Sequence, residues 1–462
     1  MSRLKSALKQ HFRYCLITSF MALGMPAYAS DPTGPSPWNV QSETLTPNAD
    51  KTSADFAKTI EKQAFADAVK DQRDGRFADA VHEYTTVLSF GAKRSAYMNR
   101  AACEWELGDL NAAILDYSKA IALRPNDATG YTERGAARYN LNLHDLAIED
   151  FTRSIEIDPR SAITYNRRAL AYMAKNQFAE ALSDLNSAEA RAPLTSDMRR
   201  TKGVALLQLN RTDDAIHQFD AVVAETPGDC VAFEDRGAAY NEENQLDLAN
   251  RDLSTAVALC PEKEQMWRKR GIVLDRAGSF DAAIADLTEA IRRSPKSVLS
   301  YWWRATAYIH AGQVEHALND LVVVQTLDPS LDVDWARAIA QERAGNFEVA
   351  VDIYSRLQLR YPQNSDAWVY QVDDLVDLGR YDEAESDLAI AQRMNPTSPN
   401  LLYARAQYLF FVSDGSIREH RLHNGLSAFT QVNSTRRITK SNWRSFGATL
   451  RRLGLRSTMG RS

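Results

Sequence analysis

This chain of 462 residues lacks several features, and each absence argues against a class of protein. The net charge is −5, so the basic excess that binds phosphate backbones is missing and we do not expect a nucleic-acid partner. After the N-terminal segment, no apolar run approaches the roughly 20 residues that span a bilayer. The mature chain is therefore expected to carry no membrane span.

Catalytic signatures are also absent. The chain has no G-x-x-x-x-G-K-[ST], G-x-G-x-x-G, G-x-S-x-G or H-E-x-x-H motif. His420 and His423 stand three residues apart, but no carboxylate or cysteine set accompanies them at ligand spacing. Most acidic residues follow a repeating period that solvated helix faces explain. We therefore expect no enzyme activity, no metal and no other cofactor.

The N-terminal segment that ends at Ala29 has the order of a secretory signal peptide. Arg3, Lys5, Lys9 and Arg13 precede an apolar run from about 14 to 25, and the small-x-small triplet 27–29 follows. This order predicts cleavage near Ala29 and an exported chain, periplasmic or secreted. The alternative is a frayed amphipathic N-terminus on a cytosolic regulatory scaffold. Residues 30–60 are predicted to be a flexible leader because Pro, Ser and Thr dominate most of this stretch.

The remainder of the chain repeats itself with a period of about 34 residues, a length typical of repeat architectures. Seven prolines follow one another at this constant interval, and two more continue the series: Pro125, Pro159, Pro193, Pro227, Pro261, Pro295, Pro329, Pro362 and Pro396. An alanine stands twelve residues before each proline, and Ala80 begins the series: Ala113, Ala147, Ala181, Ala215, Ala249, Ala283, Ala317, Ala350 and Ala384.

Each repeated position has a physical reason. Apolar residues three and four apart place one face of a helix against a neighbour, and small residues let two helices approach closely. The proline ends the second helix because it lacks a donor and clashes with the preceding turn. Glycine or asparagine suits the turn between the helices; these residues are Gly75, Gly108, Asn142, Asn176, Asn210, Asn244, Gly278, Gly312, Gly345 and Gly379.

The pattern resembles the tetratricopeptide repeat family, whose helix–turn–helix unit has the same length and the same A…F…P spacing. The resemblance covers residues 61–398, about ten units. It implies an all-α, right-handed superhelical solenoid whose first helices line a concave face. It also implies a protein or peptide partner bound there. Residues 399–411 would form a capping helix. Residues 412–462 are predicted to be a basic, disordered tail, either an arm for anionic surfaces or a terminus without a selected role.

A row of cations precedes the small residue of each first helix, and it invites the interpretation of an anion groove. The row is Arg100, Arg134, Arg168, Lys202, Arg236, Arg270, Arg304 and Arg337. Up to Arg304, an aspartate stands 16 residues after every arginine, and the one unit with lysine has Gln218 there instead. Because the two positions lie opposite each other in a hairpin, we interpret the row as structural Arg–Asp pairs.

Three cysteines remain once the signal, with Cys15, is removed. Cys230 begins the first helix of its unit and Cys260 ends the second, so antiparallel packing would bring them together. In an oxidising compartment they could form a disulfide; the alternative is two unpaired buried thiols. Cys103 is expected to be a small packed residue.

Candidate binding residues are bulky or charged side chains at outward positions of the first helices. The main group lies in late units, where aromatic and arginine anchors suit an interface: Trp302, Trp303, Trp335, Tyr370, Arg268 and Lys269. The alternative is contact with a neighbouring helix or the tail. A second group in earlier units could extend the groove: Trp105, Tyr139, Asn166, Arg167 and Arg200.

The function expected from these features is a non-catalytic scaffold that binds peptide segments or partner proteins, in the periplasm or cell envelope. A second hypothesis is a targeting or regulatory subunit of a separately encoded envelope or glycan-modifying enzyme. A stable stoichiometric complex would favour the second hypothesis, and capture of several extended peptides would favour the first.

Overall fold

The computed structural model describes residues 53–412, and every regular element in that range is an α-helix. There are twenty-one helices in this part of the chain. In order they are α1 Ser53–Arg73, α2 Phe77–Ser89, α3 Arg94–Glu106, α4 Leu110–Leu123, α5 Ala128–Asn140, α6 His144–Ile157, α7 Ala162–Ala174, α8 Phe178–Glu189, α9 Ser196–Gln208, α10 Thr212–Glu225, α11 Cys230–Glu242, α12 Leu246–Leu259, α13 Glu264–Arg276, α14 Phe280–Arg293, α15 Val298–His310, α16 Val314–Leu327, α17 Asp334–Ala344, α18 Phe347–Arg360, α19 Asp366–Asp377, α20 Tyr381–Met394 and α21 Pro399–Val412.

The described residues fall into two compact units, 53–243 and 244–412. In the first unit, α1 to α10 form five helical hairpins, and α11 packs on α10. In the second, α12 packs on α13, and α13 to α20 form four hairpins. The helix α21 packs on α19 and α20. The predicted all-α array of helix–turn–helix repeats is confirmed.

The repeated alanines form the centre of the packing. All ten, from Ala80 to Ala384, have side chains with 0% exposure. The aromatic or leucine residue four positions later is also buried, as at Phe151 and Leu287. Small residues on the first helices are needed for close approach: a Cβ on Gly203 would lie 2.5 Å from the Phe219 ring. The spacing of the alanines, the large apolar residues and the small residues therefore corresponds to the contact between the two helices of a hairpin.

The turn within each repeat uses a left-handed residue, as predicted. The six glycines and four asparagines named above all have positive φ, between 58° and 82°. Asparagine tolerates this region better than other residues with a Cβ. The second helix usually ends two residues before its proline; for example, α6 ends at Ile157 and α14 at Arg293.

The N-terminal boundary differs from the prediction. The helix α1 begins at Ser53, so residues 53–60 of the predicted leader are helical. Ala57, Ile60 and Ala64 continue the helical spacing, and Glu61 forms a salt bridge with Lys93 at the start of α3. The predicted signal segment, the rest of the leader and the tail from residue 413 lie outside the described residues. No helix in the range 53–412 is long and apolar enough to cross a membrane.

Candidate functional site

Within the hairpins, the arginines of the row form salt bridges with the aspartates that stand 16 residues later. Arg304 donates from Nε and Nη2 to the two carboxylate oxygens of Asp320, both at 2.8 Å. Its Nη1 donates to Thr288 Oγ1 in the preceding second helix at 3.1 Å. Four more pairs have the same arrangement: Arg100–Asp116, Arg134–Asp150, Arg168–Asp184 and Arg270–Asp286. The arginines therefore hold three helices together and are not free to form an anion groove.

Units without this pair use other partners. Lys202 forms a salt bridge with Glu189 at 2.6 Å. Arg337 has Ile353 sixteen residues later, and its Nη2 instead donates to Gln325 Oε1 at 2.9 Å. The correlation between arginine and aspartate in the sequence thus reflects a physical contact.

The first helices of successive hairpins also touch one another directly. These contacts join α5, α7, α9 and α11 in the first unit, and α13, α15 and α17 in the second. We call the surfaces along these contacts the first-helix face of each unit. The candidate binding residues lie on these helices, except Trp105 on α3 and Tyr370 on α19.

In the first unit, Trp105 and Tyr139 are half-buried. Trp105 packs against apolar clusters that include Ala101, Tyr117 and Ala136. Tyr139 packs on the second of these clusters, and its ring lies 5.2 Å from that of His144. Both rings therefore support the core and retain an exposed part.

The polar members of this group follow one another along the face. Arg167 Nη1 on α7 lies 2.9 Å from Glu133 Oε1 on α5. Arg200 on α9 is held more loosely, with Nε 3.5 Å from Asp235 Oδ2 on α11. Next to Arg167 on α7, the buried Oδ1 of Asn166 has no hydrogen-bond partner among the described residues. This is an acceptor that a ligand could satisfy.

In the second unit, Trp302 and Trp303 are half-buried and point to different clusters. Trp302 packs against a cluster that includes Leu321 and Val333, whereas Trp303 packs against Leu287 and its neighbours. Part of each indole is thus used for packing between hairpins. Their proposed contact with a partner stays a prediction.

The outward position predicted for Tyr370 is wrong, and its role in binding stays a prediction. Its side chain is 2% exposed, and its ring lies 5.9 Å from Trp335 and 6.2 Å from Tyr354. Trp335 is half-buried and packs on the same cluster. Tyr370 therefore belongs to the core, because a ligand could reach it only after the aromatic group separated.

Arg268 is also largely buried, and its charge is already paired. Its side chain is 11% exposed, and Nε donates to Glu264 Oε1 at 2.9 Å. The same carboxylate oxygen accepts from Ser297 Oγ at 3.0 Å and from Ser300. The guanidinium charge is therefore compensated within the protein, and Arg268 is poorly suited to orient an acidic ligand. Lys269 is half-buried, and its proposed role stays a prediction.

The predicted cysteine pair lies at two helix ends. Cys230 is the first residue of α11, and Cys260 directly follows α12. The two residues fall on opposite sides of the division between the units, and their disulfide stays a prediction. Cys103 is a free, buried cysteine in α3, and burial raises the pKa of its thiol to about 12. It is consequently an unreactive packing residue.

Two features of the second unit were not predicted. His310 Nδ1 lies 2.8 Å from Asp275 Oδ1, which joins α15 to α13. In the last hairpin, Gln371 replaces the arginine of the row while Asp387 remains in the aspartate position. This unpaired aspartate could have been found in the sequence, because Gln371 and Asp387 have the same spacing of 16 residues as the Arg–Asp pairs.

A family comparison agrees with this architecture. The model described as "Tetratricopeptide repeat" matches residues 166–229, 236–298, 268–329, 336–399 and 371–410, together more than half of the chain. Two related models match residues 104–142 and 128–161. The chain belongs to the tetratricopeptide repeat family, a class of protein-interaction scaffold. No curated protein sequence matches it.

Several solved structures are similar in fold. One is "YrrB: a TPR protein with an unusual peptide-binding site", at 21% identity and a TM-score of 0.35, covering 40% of this chain and 95% of that one. A repeat protein from Parabacteroides merdae has 14% identity and a TM-score of 0.45, covering 54% and 99%. PilF from Pseudomonas aeruginosa has 16% identity and a TM-score of 0.41, covering 46% and 97%. At these identities the likeness concerns the fold alone.

Proposed function

We propose that this protein is a non-catalytic scaffold that binds extended segments of partner proteins on its first-helix faces after export to the periplasm or cell envelope. The observation that carries the binding site is Asn166 on the face of the first unit. Its buried Oδ1 has no hydrogen-bond partner among the described residues, and an unsatisfied buried acceptor costs about 1–3 kcal/mol. A backbone N–H of a bound peptide would remove that cost once the side chains that cover Oδ1 move aside.

The neighbouring side chains suit an extended ligand. Arg200 is only 19% exposed, and its acidic contacts are long, at 3.5 Å to Asp235 and 3.9 Å to Asp197. A carboxylate on the ligand would offer it shorter, charge-assisted hydrogen bonds. The half-buried ring of Tyr139 on α5 adds apolar contact area, and that of Trp105 packs on the same cluster from α3. Amide, cation and aromatic groups in a row are the elements that peptide recognition uses.

The second face offers a separate apolar contact. Trp302 and Trp303 stand next to each other on α15, and Trp335 follows on α17. Although their inner edges pack on the core, indole rings at an interface contribute strongly to binding energy. Lys269 adds a cation on α13. We assign to this face the binding of apolar side chains from a partner segment of its own.

The test begins with selection of random peptides displayed on phage against the chain from Ser30 onward. The affinity of an enriched peptide is then measured by fluorescence polarisation for the unaltered protein and for Asn166→Leu, Arg200→Gln and Trp302→Ala. We expect at least one of these changes to weaken binding tenfold or more. Arg356→Gln is the matched control, because its salt bridge to Asp352 is exposed and lies on a second helix.

The outcomes separate the two faces. Loss of affinity in Asn166→Leu and Arg200→Gln would locate binding on the first unit, and loss in Trp302→Ala would locate it on the second. Circular dichroism of each variant shows whether the helices are retained. Failure to enrich any peptide, or equal affinities for all folded variants, would overturn the proposed site.

A further inference from the structure

The last hairpin contains a buried carboxylate that has lost its cation. In five hairpins an arginine on the first helix forms a salt bridge with the buried aspartate on the second. In the hairpin α19–α20 the residue at the arginine position opposite Asp387 is Gln371. Asp387 is nevertheless buried, at 8% exposure against 2–6% for its five counterparts. The structure thus retains the acidic half of the pair without the basic half.

Gln371 does not compensate for the missing arginine. Its Nε2 donates to Val351 O at 2.9 Å and to Ser355 Oγ at 2.8 Å, and its Oε1 accepts from Gln358. All of these partners lie on α18. Consequently the amide is fully used on the side away from α20, and Asp387 Oδ2 has no hydrogen-bond partner in the described part of the chain.

The charged groups around Asp387 do not neutralise it. On α20 itself, Glu383 lies one turn earlier and forms a salt bridge with Arg380 at 2.6 Å. Glu348 on α18 also interacts with Arg380. On α19, the buried residue Asp374 is another acid and supplies no positive charge. On α21, Arg405 donates a hydrogen bond of 3.4 Å to Gln392 and not to Asp387. No described residue forms a salt bridge with Asp387.

These surroundings favour the neutral acid. Burial, followed by repulsion from Glu383, raises the pKa of Asp387 from its usual value to about 7, against a smaller lowering by Arg380. A carboxyl group whose pKa is raised by folding stabilises the folded state while it is protonated. That stability is fully present below the ordinary pKa of 3.8, falls as the pH rises toward the folded pKa of about 7, and is lost above it. Above neutral pH, the hairpin must therefore accommodate a buried, unpaired charge.

We propose that Asp387 makes the hairpin α19–α20 a pH-dependent element, closed when its carboxyl group is protonated and opening more often when it is ionised. The helix α21 packs on both helices of this hairpin. Opening therefore also releases α21 from its support. The hairpin α15–α16, in which Arg304 neutralises Asp320, has no such dependence and serves as the reference within the same unit.

The test is hydrogen–deuterium exchange with mass spectrometry on the full chain from pH 5.5 to 8.5, with rates corrected for intrinsic exchange. We expect the opening constant of α19–α20 to rise by up to about tenfold per pH unit from pH 5.5 to about 7 and to level off above pH 7, because only the open state is ionised between the unfolded and folded pKa values. The opening constant of α15–α16 should stay constant. Asp387→Asn should remove the rise, and Gln371→Arg should reduce it by restoring the salt bridge.

Asp352→Asn is the matched control, since Asp352 is exposed on α18 and its loss should leave the pH profile unchanged. If Asp387→Asn does not fold, Gln371→Arg still tests the proposal because it leaves Asp387 in place. A constant opening rate in the unaltered chain would overturn the proposal, as would an unchanged rise in both Asp387→Asn and Gln371→Arg.

Discussion

Arg304 and Asp320 are joined by two parallel hydrogen bonds of 2.8 Å between α15 and α16. The aspartate side chain is 7% exposed and the arginine side chain 17%, so the pair is largely shielded from water. A two-bond contact of this kind fixes both the distance and the orientation of the helices. Its recurrence in five hairpins makes it a structural unit of the array.

Removing one partner should therefore be costly. Arg304→Met leaves Asp320 as a buried, unpaired carboxylate, and we expect a loss of about 3 kcal/mol in the free energy of unfolding. Arg304→Lys keeps the charge but loses one of the two hydrogen bonds, so a smaller loss of about 1 kcal/mol is expected. Urea denaturation followed by circular dichroism measures both. The exposed pair of Arg356 and Asp352 supplies the control, and Arg356→Gln should cost at most about 0.5 kcal/mol.

The close approach of helices can be tested at Gly203. A Cβ at this position would lie 2.5 Å from Phe219 Cε1 and 2.7 Å from Cζ, so the ring must move. We expect Gly203→Ala to lower the free energy of unfolding by about 1–3 kcal/mol through overpacking, despite the better helix propensity of alanine. Gly228→Ala is the control because nothing lies within 4 Å of its added Cβ. Equal stabilities for the two variants would contradict this explanation.

The repeated positions could be predicted because the residues that form the same contact recur at the same spacing in many repeats. Ala283 and its equivalents are recognised by their spacing alone, and the Arg–Asp pairs by the joint loss of both residues at Lys202 and Gln218. The hairpin turn at Asn142 could likewise be predicted, since few residues adopt positive φ.

The binding residues were harder to predict because each outward position depends on its own neighbours. Tyr370 is covered by Trp335, which comes from the preceding first helix, and a repeat pattern contains no information on such a contact. For Arg268 the signal was available: Glu264 stands four residues earlier, a spacing at which opposite charges pair on a helix. The start of α1 was missed because the segment before it is rich in loop-forming residues.

A second pH-dependent group lies at Glu104 in the first unit. Burial and the nearby Asp116 raise the pKa of Glu104 to about 7, and its Oε2 has no hydrogen-bond partner among the described residues. Its contribution to stability is therefore present at low pH and lost as the pH rises through 7. We expect Glu104→Gln to raise the melting temperature by about 2 °C or more at pH 8.5, and by less at pH 5.5, because the loss of stability develops between the ordinary pKa of 4.5 and the folded pKa of about 7. A gain of equal size at both pH values would contradict the assignment.

The predicted disulfide between Cys230 and Cys260 can be tested by counting the free thiols before and after reduction. After denaturation without reductant, alkylation and mass spectrometry of the exported chain should find one modified cysteine, Cys103, and reduction should add two. Reduction should also lower the free energy of unfolding by about 3–4 kcal/mol, because a loop of this size is constrained in the unfolded state. Cys230→Ser should lose this response to reductant, whereas Cys103→Ala should keep it. Three modified cysteines before reduction would favour the alternative of unpaired thiols.

Export is tested at the predicted cleavage site. Small residues at Ala27 and Ala29 are what a signal peptidase requires, so the chain produced in a bacterial host should begin at Ser30 in the periplasmic fraction. The double variant Ala27→Arg/Ala29→Arg should retain its N-terminal segment and stay attached to the membrane by its apolar run. Ser36→Arg, in the predicted leader, should be processed normally. If the unaltered chain were found intact in the cytoplasm, the cytosolic scaffold would become the better hypothesis. The oxidising conditions on which the disulfide depends would then be absent as well.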